Sequence, residues 1–534
     1  MSIRRVASAV TTALILLLLP AAAAMAAPIG AYTTKGAWSF VSAPSLHPPK
    51  LHANGHTASG QLARGIFLID NFPNLTAPGP MIGQGGPLIV DKRLGPVWFH
   101  SVGTSVVSGD LQQETLNGKP VLVWWQGVIT HTGATQSGEV VIVDQRYRTL
   151  ATLKAQTPGG CSGSTCWTIS IHDAVTSGNN IWVTVYRNVS GQNLSPYGGP
   201  ANGTVYDAGV QEYSLANPRR PALVNTWDAL NPGGAPKVRL SESEQPAAKR
   251  AGTGPGGSWD AYHVNAIQVL PNNQLLVTMR NTWAAYLIDA STGGVMWRLG
   301  GKASSFSLPP SARFAWPHDA QLHPGGEVTL FDDNCCKLLA SGKFAKPDGP
   351  SRGLVLKTDT ATHTARALAS YKHTPSLFVA FLGSMQFLPR GNALVGWGSQ
   401  PFFSEYSKSG RQLLDAAFPG KDQSYRALFT STWVGTPAYP PSGAVRRSRG
   451  QTTVYASWNG ATRVARWDVL GGSSASHLRR VASKARTGFE TAISLGARTF
   501  KVIAVRAVDS RGRLLSSKIV HGARRGGSGL PRTY

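Results

Sequence analysis

A chain of 534 residues with 42% hydrophobic and 15% charged residues is long and apolar enough for one large domain plus a smaller one, which excludes a fibrous or disordered chain. Lys and Arg outnumber Asp and Glu by 52 to 26, a formal net charge of +26. Such a field favours anionic partners, but the excess is spread along the chain and clusters only at "RRSRG" (446–450) and "ARRGG" (523–527), which argues for a dispersed surface charge and against nucleic acid as a partner.

The first 27 residues read as a signal peptide: Arg4 and Arg5, an apolar run from Val6 to Leu19, then Ala-Met-Ala as a cleavage site. The run is too short for a membrane span, and no later segment reaches that length without a charge or turn residue. The mature protein is therefore expected to be secreted, with no membrane span. Residues 28–80 hold few signals and read as an N-terminal arm or cap. From 81 to 437 short strands alternate with Gly, Pro and Asn turns, beginning with "GGPLIVDKRLGPVWFH" (85–100) and "KPVLVWWQG" (119–127). Cys161 and Cys166 bracket a loop short enough to close as a disulfide in an oxidising compartment. The adjacent Cys335 and Cys336 fit either a vicinal disulfide or two buried thiols, and suit no common zinc motif.

Four segments line up with one another: "HDAVTSGNNIWVTVYRN" (172–188), "HVNAIQVLPNNQLLVTMRN" (263–281), "HDAQLHPGGEVTLFDDN" (318–334) and "SMQFLPRGNALVGWGSQ" (384–400). Each reads strand, turn, strand, polar end, and three begin with His. Such repetition predicts an all-β fold with a six-bladed β-propeller over 81–437, a sandwich pair or seven-bladed ring being the alternatives. A Pro-rich linker (438–450) leads to 451–522, whose period-two alternation predicts a fibronectin type III-like sandwich. Residues 523–534 read as a basic disordered tail.

Side chains alternate along a strand, so His263 and Asn265 are expected on one face. If the His segments begin innermost strands, His172, His263 and His318 converge at one mouth of the channel, with Arg280 at the end of the next strand. Asp173 and Asp319, each beside a His, are then expected on the opposite face. Three imidazoles, an amide and a guanidinium suit a compact tetrahedral oxyanion. Arg280 grips it in forked geometry, cationic neighbours keep one imidazole neutral and nucleophilic, and another protonates a leaving oxygen.

With "WDAYHVNAIQVLPNNQLLVTMRN", "YLIDASTGGVMWRLGG" and "FAWPHDAQLHPGGEVTLFDDN" on the page, the sequence resembles the arylsulfate sulfotransferase family, particularly its secreted actinobacterial and fungal branch. The resemblance covers roughly residues 80 to 435. It implies a six-bladed propeller that moves a sulfuryl group from an aryl sulfate donor to a phenolic acceptor without 3′-phosphoadenylyl sulfate, through a transiently sulfated histidine. It assigns His318 as nucleophile. His263 and Asn265 match the family's His-x-Asn pair, Arg280 its arginine, and His172 the remaining histidine. No cofactor and no metal are expected, and the C-terminal module is the part open to cell-wall contact.

Blander readings attach to other residues. His131, His323, His363 and His373 read as surface positions, and Asp332, Asp333 and Asn334 as a blade-closing turn rather than a calcium site. Trp124, Trp125, Trp297 and Trp316 read as packing between blades, with an aromatic acceptor pocket lined by one or two of them as the alternative. The alternative functions are a secreted glycan- or ligand-binding propeller and a quinoprotein-type dehydrogenase, for which "LIDASTGGVMW" supplies one motif copy where many are expected. A three-histidine zinc or iron site is disfavoured because Arg280 would repel the cation.

Overall fold

The computed structural model describes residues 28–75, 79–130, 135–247, 257–334 and 349–520. The stretch read as a signal peptide, His131, Cys335, Cys336 and the stretch read as a basic tail lie outside them.

Asn and Gly at the turns set the hairpins. Asn272 and Asn273 adopt positive φ between Val264–Leu270 and Gln274–Met279, as Gly325 and Gly326 do between Pro317–His323 and Glu327–Asp332. Asn tolerates left-handed backbone and Gly adopts it freely, so the same chain reversal recurs from different residues. The hairpins build six antiparallel sheets. Sheet 1 combines Ile66–Asn71, Gly86–Val90 and Pro96–Phe99 with Leu428–Thr430. Sheet 2 runs through Val107–Leu116, Lys119–Ile129, Thr135–Asp144 and Thr149–Leu153. Sheet 3 holds Thr168–Ser177, Asn180–Gln192, Gly203–Ser214 and Ala222–Asp228. Sheet 4 adds Ala284–Asp289 and Val295–Gly300 to the 264–279 hairpin. Sheet 5 adds Arg352–Asp359 and Thr364–Tyr371 to the 317–332 hairpin. Sheet 6 holds Ser384–Phe387, Ala393–Gly396, Phe402–Tyr406 and Gln412–Ala417, with His52–Ala53 as a fifth strand.

Apolar layers join each sheet to the next. Trp98 of sheet 1 packs edge to face on Trp124 of sheet 2, Val123 shares a core with Ile169, Val210 with Val264, Leu276 with Leu330, and Phe331 with Met385. Phe403 of sheet 6 then meets Phe67 of sheet 1. Closure is also made by hydrogen bonds: Leu428–Thr430 pairs antiparallel with Ile66–Leu68, so the chain's late strand covers the edge of its first sheet. The fold is all-β and propeller-like. Sheet 1 begins at Ile66, inside the stretch read from sequence as arm or cap.

Two further sheets, Ser442–Ser448, Gln451–Ser457 and Glu490–Gly496 against Arg466–Gly472, Leu478–Ala485, Val502–Val508 and Leu514–Val520, enclose a second core around Val454, Trp467, Ile493 and Val505. Ser442–Ser448 belongs to this β-module although it falls in the stretch read as linker. Asn459 docks the module by pairing both ways with the Phe99 backbone, at 2.9 and 2.8 Å. Tyr147 donates to the Gly460 carbonyl at 2.8 Å. Cys161 and Cys166 are disulfide-bonded.

Candidate functional site

The first strands of sheets 2 to 5 share a defect. Their pairing register shifts between Gly109 and Gln112, Ile169 and Ala174, Val264 and Ala266, and His318 and Gln321. A β-bulge breaks the two-residue alternation and re-aims side chains. Adjacent residues serve two separate clusters, His172 and His318 one and Asp173 and Asp319 the other.

His172 and His263 touch. Their Nε2 atoms lie 3.1 Å apart and the rings are edge to face. His172 Nδ1 is 2.9 Å from Ser170 Oγ, which is 2.6 Å from Thr184 Oγ1. His263 lies just before its strand with φ 58, and its Nδ1 is 2.5 Å from Asp260 Oδ2. Its side chain is 23% exposed, that of His318 only 2%, and His172 is buried.

His318 follows Trp316, itself at φ 57. His318 Nδ1 lies 3.2 Å from the Trp316 carbonyl and 3.3 Å from Asp333 Oδ1. Only the carbonyl contact has hydrogen-bond geometry, so Nδ1–H donates to Trp316 and Nε2 carries the lone pair, which accepts from Leu382 N–H at 3.2 Å. Burial, reinforced by Arg280, His263 and Arg426, holds the His318 pKa well below the ordinary imidazole value. Burial and then the charges of His263, His318, Arg426 and Arg280 do the same to His172.

Arg280 opens the 3-10 turn Arg280–Thr282 after the second strand of sheet 4. Its guanidinium stacks over Trp316 at 4.7 Å, and Nη1 and Nη2 donate to Asn281 Oδ1 and the Ala380 carbonyl at 2.9 and 2.8 Å. Asp333, fully buried, lies 4.0 Å from Arg280 Nε. Its carboxyl is pushed well above the usual range by burial, against the pull of Arg280. Asn265 is buried, and its Nδ2 donates to the Pro317 carbonyl at 2.8 Å, next to His318. All five site residues expected from sequence thus lie in one connected neighbourhood.

Beneath it lies a second cluster. Buried Arg426 reaches Asp110 and Asp173 at 3.1 Å each, Asp319 at 3.8 Å and the Asn265 carbonyl at 3.0 Å. Three carboxylates hold its pKa above the ordinary value despite burial. The same aspartates bridge sheets: Asp173 Oδ2 accepts from Ile267 N at 2.8 Å, and Asp319 Oδ2 from Met385 N at 3.2 Å.

Sequence reasoning missed Asp260, Asn281, Asp333 and Arg426. Asp260 stands three residues before His263 and carried a usable signal, a carboxylate at short spacing from a candidate acid. Trp316, read first as packing between blades, floors Arg280. His373, read as surface, is buried between Asp415 and the Pro375 carbonyl. His323 is half-buried against Thr329, while His363 is exposed as expected.

A propeller-like fold with histidines and an arginine drawn from neighbouring sheets defines the class. The family model described as arylsulfotransferase (ASST) matches residues 112–419, more than half of the chain and all five site residues. The chain belongs to the arylsulfotransferase family, which makes aryl sulfate transfer the family activity to which this site is compared. No curated protein matches the chain. Among solved structures it is similar to a protein of unknown function from Bacteroides caccae, with 9% identity over 68% of this chain and 99% of that one and a TM-score of 0.39. It is also similar to the Dos1 propeller, 10% identical over 87% and 83% of the two chains with a TM-score of 0.31. The Malassezia sympodialis allergen Mala s 1 is 8% identical over 66% and 86%, with a TM-score of 0.31. At these values the structural likenesses carry no argument about function.

Proposed function

We propose that the protein transfers a sulfuryl group from an aryl sulfate ester to a phenolic acceptor through a transient sulfohistidine on His318, without 3′-phosphoadenylyl sulfate. The observation that carries this reading is His318 itself: a buried imidazole, its proton on Nδ1 and its lone pair on Nε2, beside the guanidinium of Arg280. Neutrality at working pH is what a nitrogen nucleophile needs. Arg280 takes the sulfuryl oxygens, with one N–H of Asn265 as a second donor. Leu382 N–H now occupies the Nε2 lone pair, so donor binding must displace that amide before attack. As the N–S bond forms, the S–O(aryl) bond breaks, and the phenolate oxygen takes a proton from the His172–His263 pair. The acceptor phenol then returns a proton to that pair as its oxygen takes the sulfuryl group from His318.

The same reading takes the six sheets as the blades of one propeller and the C-terminal β-module as fibronectin type III-like. It treats the protein as a secreted enzyme, consistent with its disulfide. The C-terminal module is the part we assign to any wall contact.

Purified mature protein should release coloured nitrophenolate from 4-nitrophenyl sulfate in a phenol-dependent manner. His318→Ala should abolish that release while leaving the thermal unfolding curve intact, and intact mass under non-acidic conditions should show a sulfuryl adduct on the wild type only. Wild-type turnover in His318→Ala would remove the histidine from the nucleophile's role.

A further inference from the structure

We propose that Asp260 is the positioning residue of the proton donor: Asp260, His263 and His172 form a relay that holds one mobile proton and aims it at the departing aryl oxygen. The inference rests on the sulfuryl-transfer reading above and extends it to a residue outside the set that reading assigns.

Two facing imidazole nitrogens 3.1 Å apart require a proton between them, since two lone pairs at that distance repel. Asp260 decides where the other protons lie. Its carboxylate, buried beside His263, accepts the Nδ1–H of that ring at 2.5 Å. Ser170 Oγ occupies Nδ1 of the second ring. Asp260 stands against His263 where His172 has only a serine hydroxyl, so His263 is the ring whose added positive charge is compensated and His172 enters the pair as the acceptor. The shared proton therefore sits on His263 Nε2. His263 also has the most exposed ring of the three histidines, which suits it to face the departing aryl oxygen.

The backbone keeps Asp260 in place. Asn281 Nδ2 donates to the Asp260 carbonyl at 2.7 Å, and Asn281 N to the Tyr262 carbonyl at 3.0 Å. Arg280 N donates to the His263 carbonyl at 2.9 Å, and Arg280 Nη1 to Asn281 Oδ1 at 2.9 Å. The residue that grips the sulfuryl group is thus stitched to the segment that presents the acid. His263 adopts left-handed backbone, uncommon outside Gly and Asn, which turns its ring toward both partners.

In the first half-reaction the aryl oxygen leaves with the S–O electron pair and takes the proton from His263 Nε2, while His318 Nε2 forms the N–S bond. Asp260 stays ionised throughout and stabilises the donor ring. The need for an acid grows with the basicity of the leaving group. Asp260→Asn should therefore lower transfer from phenyl sulfate at least about tenfold more than transfer from 4-nitrophenyl sulfate, whose phenolate leaves without much help. Asp260→Glu should recover part of the phenyl sulfate rate. An equal loss across both donors, or none, would overturn the relay and leave Asp260 a structural residue. A second arm needs no turnover: proton NMR of the free wild-type protein should show a far-downfield resonance from His263 Nδ1–H, lost in Asp260→Asn while circular dichroism is unchanged. If that resonance is missing in the wild type or survives in the variant, the relay is wrong even where transfer occurs. If the resonance behaves as expected but no aryl sulfate is turned over, the sulfuryl-transfer reading fails and the relay is overturned as an acid for that reaction.

Discussion

Each site side chain has one partner that sets its angle and another that sets its charge. Trp316 lies under the Arg280 guanidinium and its carbonyl accepts the His318 Nδ1–H, so one residue aligns both the proposed anion grip and the proposed nucleophile. The Ala380–Leu382 segment touches the same two groups, through the Ala380 carbonyl on Arg280 and the Leu382 amide on His318. Arg280→Lys keeps the charge but loses the planar fork and much of the stacking. It should lower kcat/KM for an aryl sulfate roughly 10²-fold, the scale of losing a preset donor to a developing oxyanion, with little change in melting temperature. Steady-state kinetics beside a thermal melt would separate the two effects. Arg280 stood out in the sequence because it closes a strand whose partner opens with His and Asn. Asp333 did not, because an acidic strand end looks alike whether it faces solvent or, as here, is sealed beside Arg280 and His318.

The element that matters most is the bulged first strand. A regular strand would send His172 and Asp173 to opposite faces. In the bulged strand they part as well: His172 joins the candidate site while Asp173 bonds Arg426 and the next sheet. Periodicity names strands, but a bulge adds one residue without any compositional mark. Sheet 6 shows another limit. His373 follows the last strand of sheet 5 and reaches Asp415 on the fourth strand of sheet 6. Burial pushes its pKa down, but the Asp415 carboxylate and the Pro375 carbonyl more than offset this and raise it overall. A raised histidine pKa stabilises the fold fully below about pH 6.5, and that stabilisation fades as pH rises through the raised value. The melting-temperature gap between wild type and His373→Ala should therefore narrow as pH is raised from acid to alkaline. A gap that widens would show that the histidine is held neutral.

At the scale of the whole molecule, Arg426 ties the sheets together. One guanidinium binds aspartates from sheets 2, 3 and 5 and a carbonyl of sheet 4, just before the chain enters the strand that closes sheet 1. Removing one partner of a buried ionic cluster leaves charges without compensation. Arg426→Leu should destabilise the fold by about 3–5 kcal/mol in urea melts near neutral pH. Burial already lifts Asp319 to about 6 and Asp110 well above its ordinary value. Without the arginine these carboxyls bind protons more tightly still in the folded state, so the variant should lose stability as pH rises and recover part of it in acid. The C-terminal module is docked rather than tethered. Tyr147 links it to Trp433 at the end of the ring, and Phe40 of the N-terminal arm packs on Phe489 at 4.3 Å between ring centroids. The arm and the late module, far apart in sequence, meet on one side of the structure.

Local order was written in the residues themselves. Alternating Val, Ile and Leu, Asn and Gly at reversals, and a repeated His-led segment fix strands, turns and an all-β repeat, because these are short-range preferences of backbone and side chain. They also marked His172, His263, Asn265, Arg280 and His318 as one set. Which charges face one another was decided by tertiary packing alone. Asp260 against His263, Asp333 beside Arg280, and Arg426 among three aspartates depend on bulge register and on how sheets close upon each other. Electrostatics acts through space, and spacing along a chain does not encode distance across a fold.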